Sequence, residues 1–135
     1  MPRLSVWIIR TALVHLGLGF TCGAVMLFQK GVPLEATLLR LLPMHIEFVL
    51  IGWTMQLAIG VAFWILPRFA RGPARGNESL GWAAYVLLNA GVLAAGIGAW
   101  LQVSDVIPLL GRGAEWLAVL AFALHAWPRV KPLGV

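Results

Sequence analysis

The sequence predicts an all-α integral membrane protein, a bundle of four transmembrane helices with both termini in the cytoplasm. Three observations carry this. Hydrophobic residues make up 61% of the chain and charged residues 11%, with a mean hydropathy of +0.90, whereas soluble domains are about half apolar and a quarter charged. The apolar residues gather into four stretches of roughly the 20 residues needed to cross a bilayer core about 30 Å thick. Lys and Arg concentrate at alternate ends of those stretches, as the positive-inside rule describes. The 135 residues therefore form one membrane domain with no room for a separate soluble one. The net charge of +5 does not point to nucleic acid, because the basic residues flank apolar spans instead of forming a stripe with aromatics.

The first span is predicted over 7–28. A charge followed by an apolar run also describes a signal peptide, but this run holds His15 and three glycines and lacks an A-x-A cleavage pattern. Gly19-x-x-x-Gly23 offers a close-packing face, and Cys22, the lone cysteine, reads as a small membrane-buried side chain. The connection Q-K-G-V-P leads into L-E-A-T-L-L-R-L-L, where Glu35 and Arg40 among leucines suggest a short amphipathic helix on the membrane surface. The second span, 43–66, lies between Pro43 and Pro67, whose 23 intervening residues make about 34 Å of helix. A Gly-, Pro- and Asn-bearing loop follows, with Ser79 as the expected cap of the third span, 81–102. The fourth span, 108–127, is interrupted in its first third by Pro108, Gly111, Arg112, Gly113 and Glu115.

Arg3, Arg10, Arg68, Arg71, Arg75, Arg129 and Lys131 fall on the side of the termini, and Lys30, Arg40 and Arg112 on the other. That seven-to-three ratio places both termini in the cytoplasm. Trp7, Trp64, Trp82 and Trp127 then line the cytoplasmic boundary, with Trp100 and Trp116 toward the outer one, as an aromatic belt requires.

The second span carries the polar residues that a bilayer penalises: His45, Glu47, Thr54 and Gln56. Intramembrane polar groups mark a candidate site. In a regular helix His45, Gly52, Gln56 and Gly60 fall on one stripe, while Glu47 lies about 200° round the axis from His45, so H-x-E does not aim two ligands at one metal ion. By helix rise His45 and His125 differ in depth by about 20 Å, and His15 lies about 10 Å from each. That disfavours two histidines of one chain as axial ligands of one iron. It permits a single axial histidine, or symmetry-related histidines across a dimer. The plainer reading of His15 is a packing histidine and of His125 an interfacial one; His45 divides evenly between an interfacial group and a ligand. Glu47, Arg112 and Glu115, with Arg40 nearby, form a polar cluster in which Glu47 is expected to pair with Arg112 or Arg40, or else to be protonated. Such pairing would support the aim of His45.

The positions His45, Glu47, Gly52, Trp53, Gly60, Leu66, Pro67 and Arg68, together with L-G-L-G-F-T-C-G-A, L-L-N-A-G and L-A-F-A-L-H-A-W-P-R, resemble the small four-helix membrane proteins related to the catalytic subunit of haem-copper oxidases and nitric oxide reductases. The resemblance implies that His45 matches a haem-ligating histidine, with b-type haem as cofactor; Gly52 and Gln56 on the same stripe, and His15 of the first span, are further candidate cofactor contacts. It implies a role in respiration or nitric oxide metabolism, in a bacterial inner membrane, as a homo-oligomer or within a larger respiratory or nitric oxide reductase complex. The alternative is a non-catalytic accessory subunit that stabilises such a complex.

Overall fold

The computed structural model describes residues 1–102 and 104–130. It is all-helical: α1 is Arg3–Gly31, α2 is Ala36–Ile65, α3 is Glu78–Leu101 and α4 is Val106–Ala126, followed by a 3₁₀ turn at Trp127–Arg129. No strand occurs among the described residues. All four helices are long and apolar enough to cross a membrane, and each matches one of the expected spans. Lys131 lies outside the described residues.

The packing is that of a bilayer protein. Large apolar side chains such as Phe20, Leu27, Leu109, Leu110 and Trp116 face outward, where lipid is as good a solvent as a protein core. Small residues hold the helices together instead. At the end of the bundle that carries the termini, one apolar cluster draws on every helix: Leu4 and Ile8 of α1, Ile59 and Phe63 of α2, Leu88 of α3 and Ala118 of α4. The tightest approach joins α3 and α4. A Cβ built on Gly111 would stand 2.5 Å from the Ala95 backbone nitrogen and 2.8 Å from the Gly91 carbonyl oxygen.

Three expectations change at the helix ends. The segment expected to lie apart on the surface is instead a 3₁₀ turn, Ala36–Leu41, that runs without a break into α2. It is tied back by Gln29, whose buried side-chain oxygen accepts from the amides of Leu34 and Glu35 at 2.8 and 3.0 Å. Asn77, not Ser79, caps α3, its side-chain oxygen accepting from the Ser79 amide at 3.0 Å. The Pro- and Gly-bearing segment does not interrupt α4, because Pro108 sits in the first turn, where a missing N–H costs nothing.

Candidate functional site

The centre of α2 is not a regular α-helix. Residues Glu47–Met55 form a π-helix, a wider winding with i→i+5 bonds that recurs at functional positions. Thr54 supports it by donating its hydroxyl to the Val49 carbonyl, five residues back, at 2.9 Å. Where the segment ends, the Gln56 amide turns to the carbonyls of Ile51 and Trp53, bypassing its α-helical partner Gly52. The Gly52 carbonyl is taken up by another helix: His15 of α1 donates Nδ1–H to it at 3.1 Å. A freed backbone group at membrane depth is thus satisfied by a neighbour, as the absence of water demands.

That bond is one rung of a polar ladder between α1 and α2. Ser5 donates to the Gly60 carbonyl at 2.6 Å. Gln56 returns two bonds to α1, to the Ile8 carbonyl at 3.1 Å and the Thr11 hydroxyl at 2.6 Å. His15 follows, and His45 donates Nδ1–H to the Gly19 carbonyl at 2.7 Å. The donors alternate between the two helices, and glycine supplies most of the acceptors. Absence of a side chain also makes room for the rings: a Cβ on Gly52 would lie 2.7 Å from the His15 ring, and one on Gly23 would lie 2.9 Å from His45 Cε1. Interhelical bonds of this kind are worth about 0.6 kcal/mol on average in a membrane, so the ladder sets register more than it supplies stability. His15 is further covered by the stacked Phe48 ring at 5.5 Å.

The structure therefore separates the stripe His45, Gly52, Gln56, Gly60. All four positions meet α1, but Gly52, Gln56 and His15 are committed to helix packing. His45 alone borders open space. Its Nδ1 proton is spent on Gly19, because a carbonyl can only accept, and this leaves Nε2 with its lone pair and no hydrogen-bond partner among the described residues. A cavity of about 430 Å³ lies beside it, lined by Gly23, Met26, Leu27, Lys30, Leu39, Leu42 and His45. His15 is not in that lining, and no group of three or more His, Cys, Asp or Glu side chains converges among the described residues. A metal at this place would draw on His45 as its histidine.

Glu47 points the other way, toward α3 and α4, in agreement with its expected angular separation from His45. Arg112 Nη1 bridges Glu47 Oε2 at 2.6 Å and Glu115 Oε2 at 3.2 Å. Arg40 does not join this cluster; it is exposed on the 3₁₀ turn, forming no ion pair among the described residues. Pairing of Glu47 with Arg112 ties the start of the π segment, two residues after His45, to α4.

A second polar site escaped the sequence reading. His125, expected at the interface, is buried: its Nδ1 donates to the Asn77 carbonyl at 2.9 Å, and its ring stacks on Phe63 at 5.0 Å. Arg129, counted as a topology charge, is 1% exposed. It donates to the carbonyls of Phe63, Leu66 and Pro67 at 3.1, 2.7 and 3.0 Å, and its Nη1 meets His125 Nε2 at 3.1 Å. The spacing of four between His125 and Arg129 places both on one helix face, a signal masked by the boundary position of W-P-R. Comparison of the chain with protein-family models, with curated proteins and with solved structures yields no match.

Proposed function

We propose that this chain is a small integral membrane protein that binds b-type haem through His45 and serves respiration or nitric oxide metabolism in a bacterial inner membrane. One observation carries the reading: His45 is oriented by a backbone carbonyl, which is how metal-ligating histidines are held and their tautomer set, while its other nitrogen is unengaged beside a cavity. The residues fit the group. The cavity falls within the range of about 300–1,000 Å³ for cofactor sites, its walls are mostly Leu and Met, Gly23 cradles the imidazole, and Lys30 offers a cation for a carboxylate-bearing edge. Bound haem would supply one-electron or diatomic-gas chemistry at its iron. The chain's own contribution is to hold the imidazole in one tautomer and to exclude water with apolar walls. Purified from a haem-sufficient host, the protein should show a Soret band that His45→Ala removes while His15→Ala leaves it in place. A colourless, folded preparation defeats the reading.

With this reading goes an orientation in which both termini are cytoplasmic, supported by the exposed Arg3, Arg10, Arg68 and Arg71 at the terminal end of the bundle. A reporter active only in the cytoplasm should work when fused after Val135 and fail when inserted beside Asp105; the reverse pattern would place His45 at the cytoplasmic side.

A second reading, that of an accessory subunit in a larger membrane complex, is favoured by a groove on α3 and α4 lined by Ala90, Ala94 and Gly98 between Leu93, Ile97, Leu101 and Ile107. Small residues four apart let another helix approach closely. Under this reading Ala94→Phe abolishes co-purification with a larger complex in mild detergent, and His45→Ala does not.

A further inference from the structure

The cavity beside His45 is lined by a second atom able to bind a metal ion. Three of its lining residues are leucines and one is Gly23, none of which has a side-chain lone pair to offer. Lys30 is exposed in the last turn of α1, and an ammonium has no lone pair either. What remains is Met26, partly buried, whose thioether sulfur is a neutral, soft donor. Other donors nearby in the chain are turned elsewhere. Met44 of α2 lies against the Gly96 position of α3, His15 is bonded to Gly52 and stacked on Phe48, and Cys22 is not part of the lining.

The register of α1 brings that sulfur to the free side of the imidazole. The His45 ring runs along the helix from Gly19, whose carbonyl takes Nδ1–H at 2.7 Å, to Gly23, where a Cβ would stand 2.9 Å from Cε1 and 3.7 Å from Nε2. Met26 is the next residue on that face, about 4.5 Å further along the axis. Helical side chains lean back over the turn that precedes them, and here that turn is the gap left by Gly23. Met26 therefore shares the cavity with the nitrogen that lacks a partner, and its unbranched, flexible chain adapts to what lies between them.

We propose that Met26 is the second axial ligand of the haem held by His45, which makes the site a one-electron carrier closed to diatomic gases. The assignment rests on the haem reading of the same cavity. It resolves the depth mismatch that separates the three histidines, because the second ligand comes from α1 beside His45 and not from another histidine. Both axial positions are then filled from one chain, with no partner subunit required. A thioether opposite an imidazole raises the reduction potential, and the apolar walls act in the same direction by disfavouring the charge of the oxidised state.

Spectroscopy of the full chain purified from a haem-sufficient host tests this. The ferric wild type should be low-spin, with the weak far-red band of a sulfur–iron charge transfer, and in the ferrous form one methionine methyl resonance should be displaced far upfield by the porphyrin ring current. Met26→Leu, close in volume, should lose both signals, turn the ferric spectrum high-spin, bind carbon monoxide where the wild type does not, and lower the midpoint potential. Met26→His should restore a low-spin spectrum without the far-red band. Where Met26→Leu fails to fold, a chain carrying Met44→Leu and Met55→Leu should keep the upfield resonance, and its loss there overturns the proposal. A wild type with a Soret band but no upfield methyl, or a Met26→Leu spectrum equal to the wild type, also overturns it and leaves haem at His45 standing. A wild type with no Soret band overturns both.

Discussion

Replacing Gly111 by valine is expected to remove the folded protein from detergent solution. A Cβ at this position would stand 2.5 Å from the Ala95 nitrogen, 2.9 Å from its Cα and 2.8 Å from the Gly91 carbonyl oxygen. All three are backbone atoms, so no side-chain rotation relieves the clash and α4 must move off α3 as a body. Overpacking alone costs about 1–3 kcal/mol and sometimes more. Here the displacement also pulls Glu115 and Arg112 away from Glu47, which leaves a buried charge unpaired at several kcal/mol. Against a total of about 5–15 kcal/mol the sum is large. Thermal unfolding followed by circular dichroism should show a fall in Tm of about 10 °C or more, where a soluble fraction survives at all. Gly113→Ala is the control: nothing lies within 4 Å of its Cβ position, and its Tm should stay at the wild-type value. An unchanged Tm for Gly111→Val would mean that the two helices do not meet there.

The second large effect is expected at Arg129→Met. The guanidinium satisfies three carbonyls at the end of α2, groups that a helix terminus leaves without intrahelical donors. Its positive charge also meets the negative end of that helix, and its carbon lies 5.5 Å from the centre of the Phe63 ring. Methionine fills much of the volume and supplies no donor. Hydrogen bonds from charged groups contribute about 1.5–3 kcal/mol each; with partial relaxation of the end of α2 we expect a loss of about 3–5 kcal/mol, seen as a lower Tm. Arg129→Lys should recover only part of it, because one ammonium does not reproduce the guanidinium fork. Arg68→Met, at an exposed position, should leave Tm unchanged. Equal effects of the two substitutions would reduce Arg129 to a surface charge.

The four helices were legible because each is long and apolar, a property of composition that no tertiary contact overrides. The separation of His45 from Glu47 was legible too, since two residues turn a helix by about 200°; the cost of a bare charge left Glu47 with Arg112, with Arg40 or protonated, and only the fold selects Arg112 as its partner. The π segment was not. Residues F-V-L-I-G-W carry no local signal for i→i+5 bonding, and the winding is stabilised by His15, 37 residues away from Gly52. The burial of His125 and Arg129 was hidden for a related reason. A basic residue beside Trp and Pro at a span end looks the same whether it meets lipid headgroups or the end of another helix. Lys30 belonged to the topology count alone, because only the fold shows that it lines the same cavity as His45.

The position of Arg129 also bears on how the molecule is made. Its bond to the Pro67 carbonyl spans 62 residues, and synthesis proceeds from the N-terminus at about 5–20 residues per second, so roughly 3–12 s pass between the two. During that interval α2 has been made but its last carbonyls have no partner from the chain. The end of α2 is therefore a late-closing seam, held open to lipid headgroups, water or an insertion factor until α4 arrives. Chains halted just before Arg129 should carry all four membrane helices and still be marked as unfinished, with a frayed α2 terminus that a membrane protease can grip.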